Sequence, residues 1–126
     1  KKNAFRSSEI SMADDAILYI PKSCQNGDIC RLHIALHGCE QTIEDIDDLF
    51  FTKTGYNEWA ESNNIIILYP QVRKSLPLTN PHGCWDWFGY SSKKFATKNA
   101  PQMQVIMKNI EVLSEKKFHV RSRYYK

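Results

Sequence analysis

The sequence predicts an α/β domain, with a mostly parallel sheet of about three or four strands and flanking helices. Three observations predict it. Short β-branched and aromatic runs alternate with amphipathic stretches in the order strand, strand, helix, helix, strand, loop, helix. The run Ile65 to Tyr69 (IIILY) lacks polar alternation, the pattern of a strand covered on both faces in a parallel sheet. Helical segments separate the strands, which antiparallel hairpins would not need.

Residues 1–14 are polar without periodicity and read as an irregular lead-in. Ala16 to Pro21 is a short strand ended by its proline. Arg31 to His37 is a second strand, with Leu32, Ile34 and Leu36 on one face and Ala35 on the other, between His33 and His37; Gly38 stops it. Thr42 is a suitable N-cap for a helix running to about Lys53. Ile43, Ile46, Leu49 and Phe50 fall at helical spacing, and Glu44 and Asp45 lie in the first turn, where the dipole favours acids. The acidic set Glu44, Asp45, Asp47 and Asp48 lacks the alternation and central glycine of a calcium loop and reads as a solvated helix face. Gly55 breaks the helix. Tyr56 to Ser62 makes a second one that carries Trp59 toward the core, and Asn63-Asn64 ends it.

Gln71 to Tyr90 is a long loop with Pro77, Pro81, Gly83 and two of the three tryptophans; its length and aromatics point to function rather than disorder. Asn99 caps a final helix with Pro101 in its first turn and Gln102 at the capping-box position. Met103, Ile106, Met107, Ile110 and Leu113 form its apolar stripe, expected to face the core rather than any cofactor. Phe118 to Arg121 reads as a last short strand.

Composition bounds the rest. The 126 residues make one domain or part of one, without linkers or repeats. With 42% hydrophobic and 25% charged residues the chain is ordinary globular material, which excludes a disordered tail, a collagen repeat and a disulfide knot. Ile65 to Tyr69, the longest apolar run, is far short of the roughly 20 residues of a membrane helix. A net charge of +3 from 17 basic and 14 acidic residues is too balanced to imply nucleic acid, and much of the excess sits in terminal tails. A chain this size buries about two-thirds of its unfolded surface, leaving little for a deep pocket of its own. It begins at Lys1 rather than Met, so a processed form or a fragment is expected.

None of the spacings of Cys24, Cys30, Cys39 and Cys84 gives the CxxC pairs of a zinc site, so no metal is expected. Cys24 and Cys30 bracket the turn-forming Gln-Asn-Gly-Asp, where a local disulfide forms easily. Three pairings exist, and Cys24–Cys30 with Cys39–Cys84 is favoured; four reduced thiols are the alternative. Loop-closure entropy assigns about 2.4 kcal/mol to the short loop and about 4 kcal/mol to the long one.

The junction Leu36-His37-Gly38-Cys39-Glu40 is a strand end followed at once by a glycine turn. A backbone leaving a strand this way can aim free N–H groups outward, as acyl-transfer enzymes do in an oxyanion hole. The segments SMAD (11–14), CRLHIALHGC (30–39), TGYNEWA (54–60), ILYPQ (67–71), NPHGCWDWFGY (80–90) and APQM (100–103) together resemble one family. It is the poly(3-hydroxybutyrate) depolymerases whose α/β-hydrolase domain is circularly permuted, and the likeness runs in order from about residue 11 to 113, over their C-terminal half. NPHGCWDWFGY is long and compositionally odd, so chance is a poor explanation.

The resemblance implies part of an α/β-hydrolase fold in an exported serine esterase, secreted or periplasmic, that cleaves a hydrophobic hydroxyacid polyester or smaller esters without a cofactor. It implies that the Cys39 N–H donates to the oxyanion, that Cys39 and Cys84 are bridged, and that Trp85 and Trp87 wall the acyl crevice. In the permuted order Ser, Asp and His of the triad precede this region, so the partner of the chain would be the N-terminal half of the same domain. The chain departs from a complete enzyme in one respect: it contains no G-x-S-x-G. Ser91 and Ser92 lack the glycines of a nucleophile elbow. His33, His37, His82 and His119 are base candidates and Asp86 a candidate orienter, but nothing in the sequence sets them beside an exposed serine. His37 reads instead as support for the turn. The isolated chain is therefore expected to be inactive, and the alternative is a stand-alone relic that binds a hydrophobic ligand or a protein without catalysis.

Overall fold

The computed structural model describes residues 6–75 and 79–115; the strand expected at Phe118 to Arg121 lies outside them. The strands are β1 (Ile17–Tyr19), β2 (Arg31–Ile34) and β3 (Ile65–Tyr69), and the helices α1 (Lys22–Gln25), α2 (Ile43–Ile46), α3 (Leu49–Lys53), α4 (Tyr56–Asn63) and α5 (Pro101–Glu115). The class is mixed α/β, as read.

The three strands lie in the order β1-β3-β2, so β3 is central. β2 runs parallel to β3, pairing Arg31 with Ile65 and Ile34 with Leu68, whereas β1 is antiparallel, pairing Ile17 with Tyr69. The sheet is thus mixed rather than mostly parallel. Between Tyr19 and Arg31 the chain makes only α1 and a turn stapled by Cys24–Cys30, too short a connection for a parallel crossover.

All five residues of β3 are buried. On one face Ile65, Ile67 and Tyr69 pack with Ala35 and Ala60, supported by Phe50 and Phe51. Full burial of each isoleucine contributes about 1.5–3 kcal/mol. On the other face Leu68 shares a cavity of about 280 Å³ with Val105, Val112 and Leu113 of α5. The Tyr69 hydroxyl donates to Asn57 Oδ1 (2.7 Å), whose amide donates to the Phe51 carbonyl (2.6 Å). Burial pushes the Tyr69 hydroxyl up to about 12.

Four local expectations differ from what forms. The helix predicted from Thr42 to Lys53 is two, α2 and α3, broken at Asp47 (φ 51°). Thr42 occupies the N-cap, but its hydroxyl donates to Asp45 Oδ2 (2.7 Å) instead of accepting an amide. Lys74 pairs with the same Asp45, and Lys74 N and Ile43 N bond Glu44 and Gln71 Oε1. α2 is therefore anchored to the strand that leaves β3, while Phe50 and Phe51 of α3 pack on Tyr69. One straight helix cannot satisfy both.

Trp59 is 49% exposed rather than core, because α4 turns Ala60 and Asn57 inward and sets Trp59 off that face, edge-on to His33. Of the α5 stripe only Ile106 is buried; Met103 and Met107 are exposed. The helix is rotated so that Val105, Asn109 and Val112 also face β1 and β3. From Arg6 on the lead-in is not wholly irregular: Ser7–Ile10 is a 3-10 turn, and Met12 bridges Val72 with Ile10, Ser11 and Met12 buried.

Candidate active-site turn and aromatic wall

β2 ends at Ile34, and Ala35 adds one more bond to Leu68 O (3.0 Å) before the chain leaves the sheet at His37. His37 is buried (3% exposed). Its Nε2 accepts the Val72 N–H (3.1 Å), so the proton sits on Nδ1, which donates to Gly38 O (2.8 Å). Burial is the main influence on the ring and lowers its pKa below the ordinary histidine value, against the Gly38 bond and Asp45. His37 is a neutral buttress joining the turn to the segment that follows β3.

Gly38 donates its N–H to Gln41 Oε1 (2.8 Å), and a Cβ there would fall 2.9 Å from that oxygen. Glu40 is left-handed (φ 57°) and its N–H donates to His82 O (2.8 Å). Between them Cys39 is exposed, and among the described residues no acceptor takes its N–H. Cys39 is bonded to Cys84, and the second disulfide is Cys24–Cys30.

The Trp85 indole N–H donates to His37 O (3.1 Å), and its ring lies 5.6 Å from the imidazole. Trp87 is 69% exposed and Phe88 54%, stacked edge to face at 5.2 Å. Trp85 therefore lies against the turn, whereas Trp87 stands at the surface with Phe88 as its ring partner. Asp86 organises the loop that carries them. Its carboxylate accepts the amides of Phe88, Gly89, Tyr90 and Ser91 and the Ser91 hydroxyl (2.6–3.2 Å). Burial opposes its ionisation, but the Ser91, Gly89 and Tyr90 bonds outweigh it and hold the carboxyl below the ordinary range. Among the described residues Asp86 orients no histidine, and Ser91 is engaged by it. His82 pairs with Glu40 (2.9 Å), His33 stacks on Tyr56 and Trp59, and His119 lies outside the described residues.

Sequence reasoning missed Asn80 and misread Gln102. Asn80 is buried and grips Cys84 from both sides: Oδ1 accepts its N–H (2.8 Å) and Nδ2 donates to its carbonyl (2.8 Å). Gln102 is buried too and caps no helix. Its Oε1 accepts Asp86 N–H (2.9 Å) and its Nε2 donates to Ile10 O and the Tyr90 hydroxyl (2.8 Å each). Gly83 sits at φ +59°, where a Cβ would fall 2.5 Å from Thr42 Cγ2, so the loop closes on Thr42 only with glycine there.

The fold and turn define a mixed α/β unit in which a strand ends in a glycine turn with an open backbone amide. The particular relatives are depolymerases. The chain is 44% identical over 105 residues to a poly(3-hydroxybutyrate) depolymerase of Delftia acidovorans, covering 82% of this chain and 20% of that protein. It is 41% identical over 104 residues to a polyhydroxybutyrate depolymerase of Talaromyces funiculosus, covering 75% of the chain and 31% of that protein. Among solved structures it matches a PHB depolymerase variant in complex with an R3HB trimer (TM-score 0.77, 40% identity). It also matches the PHB depolymerase of Penicillium funiculosum (TM-score 0.76, 38% identity). Each match covers 80% of this chain and 35% of the other. No protein-family model matches the chain. The chain is thus a relative of the poly(3-hydroxybutyrate) depolymerases, and it spans between a fifth and about a third of their length.

Proposed function

We propose that the chain is the C-terminal part of the α/β-hydrolase domain of an exported serine esterase acting on poly(3-hydroxybutyrate) or related hydroxyacid esters. In this reading Cys39 N–H is an oxyanion donor, Trp85 and Trp87 wall part of the acyl crevice, and the Ser-Asp-His triad lies in polypeptide N-terminal to Lys1. The observation that carries it is the exposed Cys39 amide, without an acceptor among the described residues, in a turn held by Trp85, with the exposed Trp87 two residues further on. The depolymerase relatives supply the substrate class, and the two disulfides favour an oxidising compartment.

The chemistry runs in two halves. The serine oxygen attacks the ester carbonyl carbon as the histidine takes its proton, and the carbonyl electron pair moves onto the oxygen facing Cys39 N–H. That pair then reforms the C=O bond, the C–O bond to the leaving hydroxyacid breaks, and the histidine returns the proton to the departing alkoxide. Water repeats the sequence on the acyl-enzyme, releasing the acid and the serine. An amide fixed before reaction stabilises both tetrahedral states without reorganisation.

The test has two arms. The 126-residue chain is expected to be inert toward p-nitrophenyl butyrate and unlabelled by a fluorophosphonate; turnover with labelling would overturn the placement of the triad. Joined to its upstream coding sequence it is expected to hydrolyse the ester. There Cys39→Pro/Cys84→Ser, which removes the amide proton, is expected to lose about 10²–10³ in kcat beyond Cys39→Ser/Cys84→Ser, which keeps it. Equal rates for the two pairs would remove the oxyanion role. An inert long polypeptide that still binds the polyester would favour the relic.

A further inference from the structure

We propose that Tyr90, Asn80 and Gln102 are positioning residues that set the Cys39 N–H and the Trp85 ring through the Cys39–Cys84 bridge. The functional part of this inference rests on reading the Cys39 amide as an oxyanion donor; the positioning itself does not.

The turn His37-Gly38-Cys39 is held at both ends by two consecutive residues. The disulfide from Cys84 ties its far end, and the Trp85 indole N–H holds the His37 carbonyl at its near end (3.1 Å). A small closed ring results, and any shift of the 84–85 step moves the turn with it. That step is itself gripped. The Cys84 N–H goes to Asn80 Oδ1, and the Cys84 carbonyl accepts from Asn80 Nδ2 (2.8 Å) and from the Tyr90 hydroxyl (2.6 Å). The same hydroxyl accepts from Asn80 Nδ2 (3.2 Å) and Gln102 Nε2 (2.8 Å). One proton donated and two lone pairs filled is the whole capacity of a phenol. Its orientation is therefore fully specified, and burial pushes it up to about 12, so the donor proton is kept at neutral pH.

Gln102 carries the restraint outward. Rooted at the start of α5, it holds Tyr90, the Asp86 amide next to Trp85, and the Ile10 carbonyl of the lead-in. Asn80 is in turn fixed by paired backbone bonds with Ser75 (3.1 and 3.2 Å). Among the described residues no hydrogen bond joins Asn80, Tyr90 or Gln102 to His37, Gly38 or Cys39 directly, so each acts through Cys84 and Trp85.

Tyr90→Phe is the discriminating variant. It removes one hydroxyl yet leaves Asn80 bonded to Cys84 and Gln102 bonded to Ile10 and Asp86, so the fold survives. The 126-residue protein is treated with dithiothreitol, quenched by alkylation, and both bridges are followed by peptide mass. Cys24–Cys30, remote from the network, is the internal control. Tyr90→Phe is expected to speed reduction of Cys39–Cys84 about five- to tenfold, with Gln102→Met following in the same direction and Cys24–Cys30 unchanged. An unchanged Cys39–Cys84 rate, or equal acceleration of both bridges, overturns the positioning role. In the longer active polypeptide Tyr90→Phe is expected to lower kcat, with any rise in KM coming from the shift of Trp85, and an unchanged kcat contradicts the effect on the Cys39 N–H. Absence of activity in that polypeptide sinks the oxyanion reading and leaves the reduction rates to decide the positioning.

Discussion

At His37 a single ring carries three loads: it accepts from Val72, donates to Gly38, and packs between Trp85 and Phe50. A proton can enter at Nε2 only by breaking the Val72 bond, and burial opposes the charge, so its folded pKa lies below the ordinary value. As pH falls through about 6.5 the unfolded chain takes up this proton and the folded chain does not. The stability present above that pH is therefore lost as pH falls from the ordinary value toward the folded one. The urea midpoint is expected to drop between about pH 7.5 and about pH 5.5, and His37→Gln to flatten that slope. A wild-type midpoint flat over this range would refute the assignment. Asp45, Glu61 and Asp86 are shifted downward, Asp45 chiefly by Lys74 and Glu61 chiefly by Tyr19, so their contribution disappears in a separate, more acid window. The sequence marked His37 as support for the turn because nothing set it beside an exposed serine. Its tautomer came only from Val72, thirty-five positions away.

Among the elements, α5 shows where local pattern and packing part. The periodic stripe was real, yet the helix seats itself by Pro101, Gln102 and Ile106 and turns Met103 and Met107 to solvent. Ile106→Ala is accordingly expected to cost about 2–5 kcal/mol, and Met107→Ala less than about 1 kcal/mol. Equal losses by urea denaturation would restore the predicted stripe. The segment 42–53 gives the same lesson. Its apolar spacing is helical throughout, but Lys74 and Gln71 hold the first turn while Tyr69 holds the second half, and the break at Asp47 reconciles them. By contrast α4 ends as read, with Asn64 in the left-handed conformation that asparagine tolerates (φ 53°).

Across the whole molecule the two disulfides differ in what they close. Cys24–Cys30 spans 6 positions and shapes the link that reverses the chain between β1 and β2, whereas Cys39–Cys84 spans 45 and joins the turn to the aromatic loop. Replacing Cys39 and Cys84 by alanine is expected to cost about 4 kcal/mol, against about 2.4 kcal/mol for Cys24 and Cys30. The reverse order in urea midpoints would show that loop entropy is not the leading effect. The sequence by itself determined the α/β class, the buried central strand, the glycine turn before Cys39, the aromatic loop and the depolymerase likeness. Each of these is written in residues close together along the chain, where periodicity and turn chemistry act. Only the tertiary structure decided that β1 runs antiparallel, that Trp59 and two methionines of α5 stay exposed, and that Asn80 and Tyr90 converge on Cys84 with Gln102 holding Tyr90. Strand direction, helix rotation and the pairing of buried polar groups depend on partners far along the chain, whose bonds must be satisfied together once water is excluded.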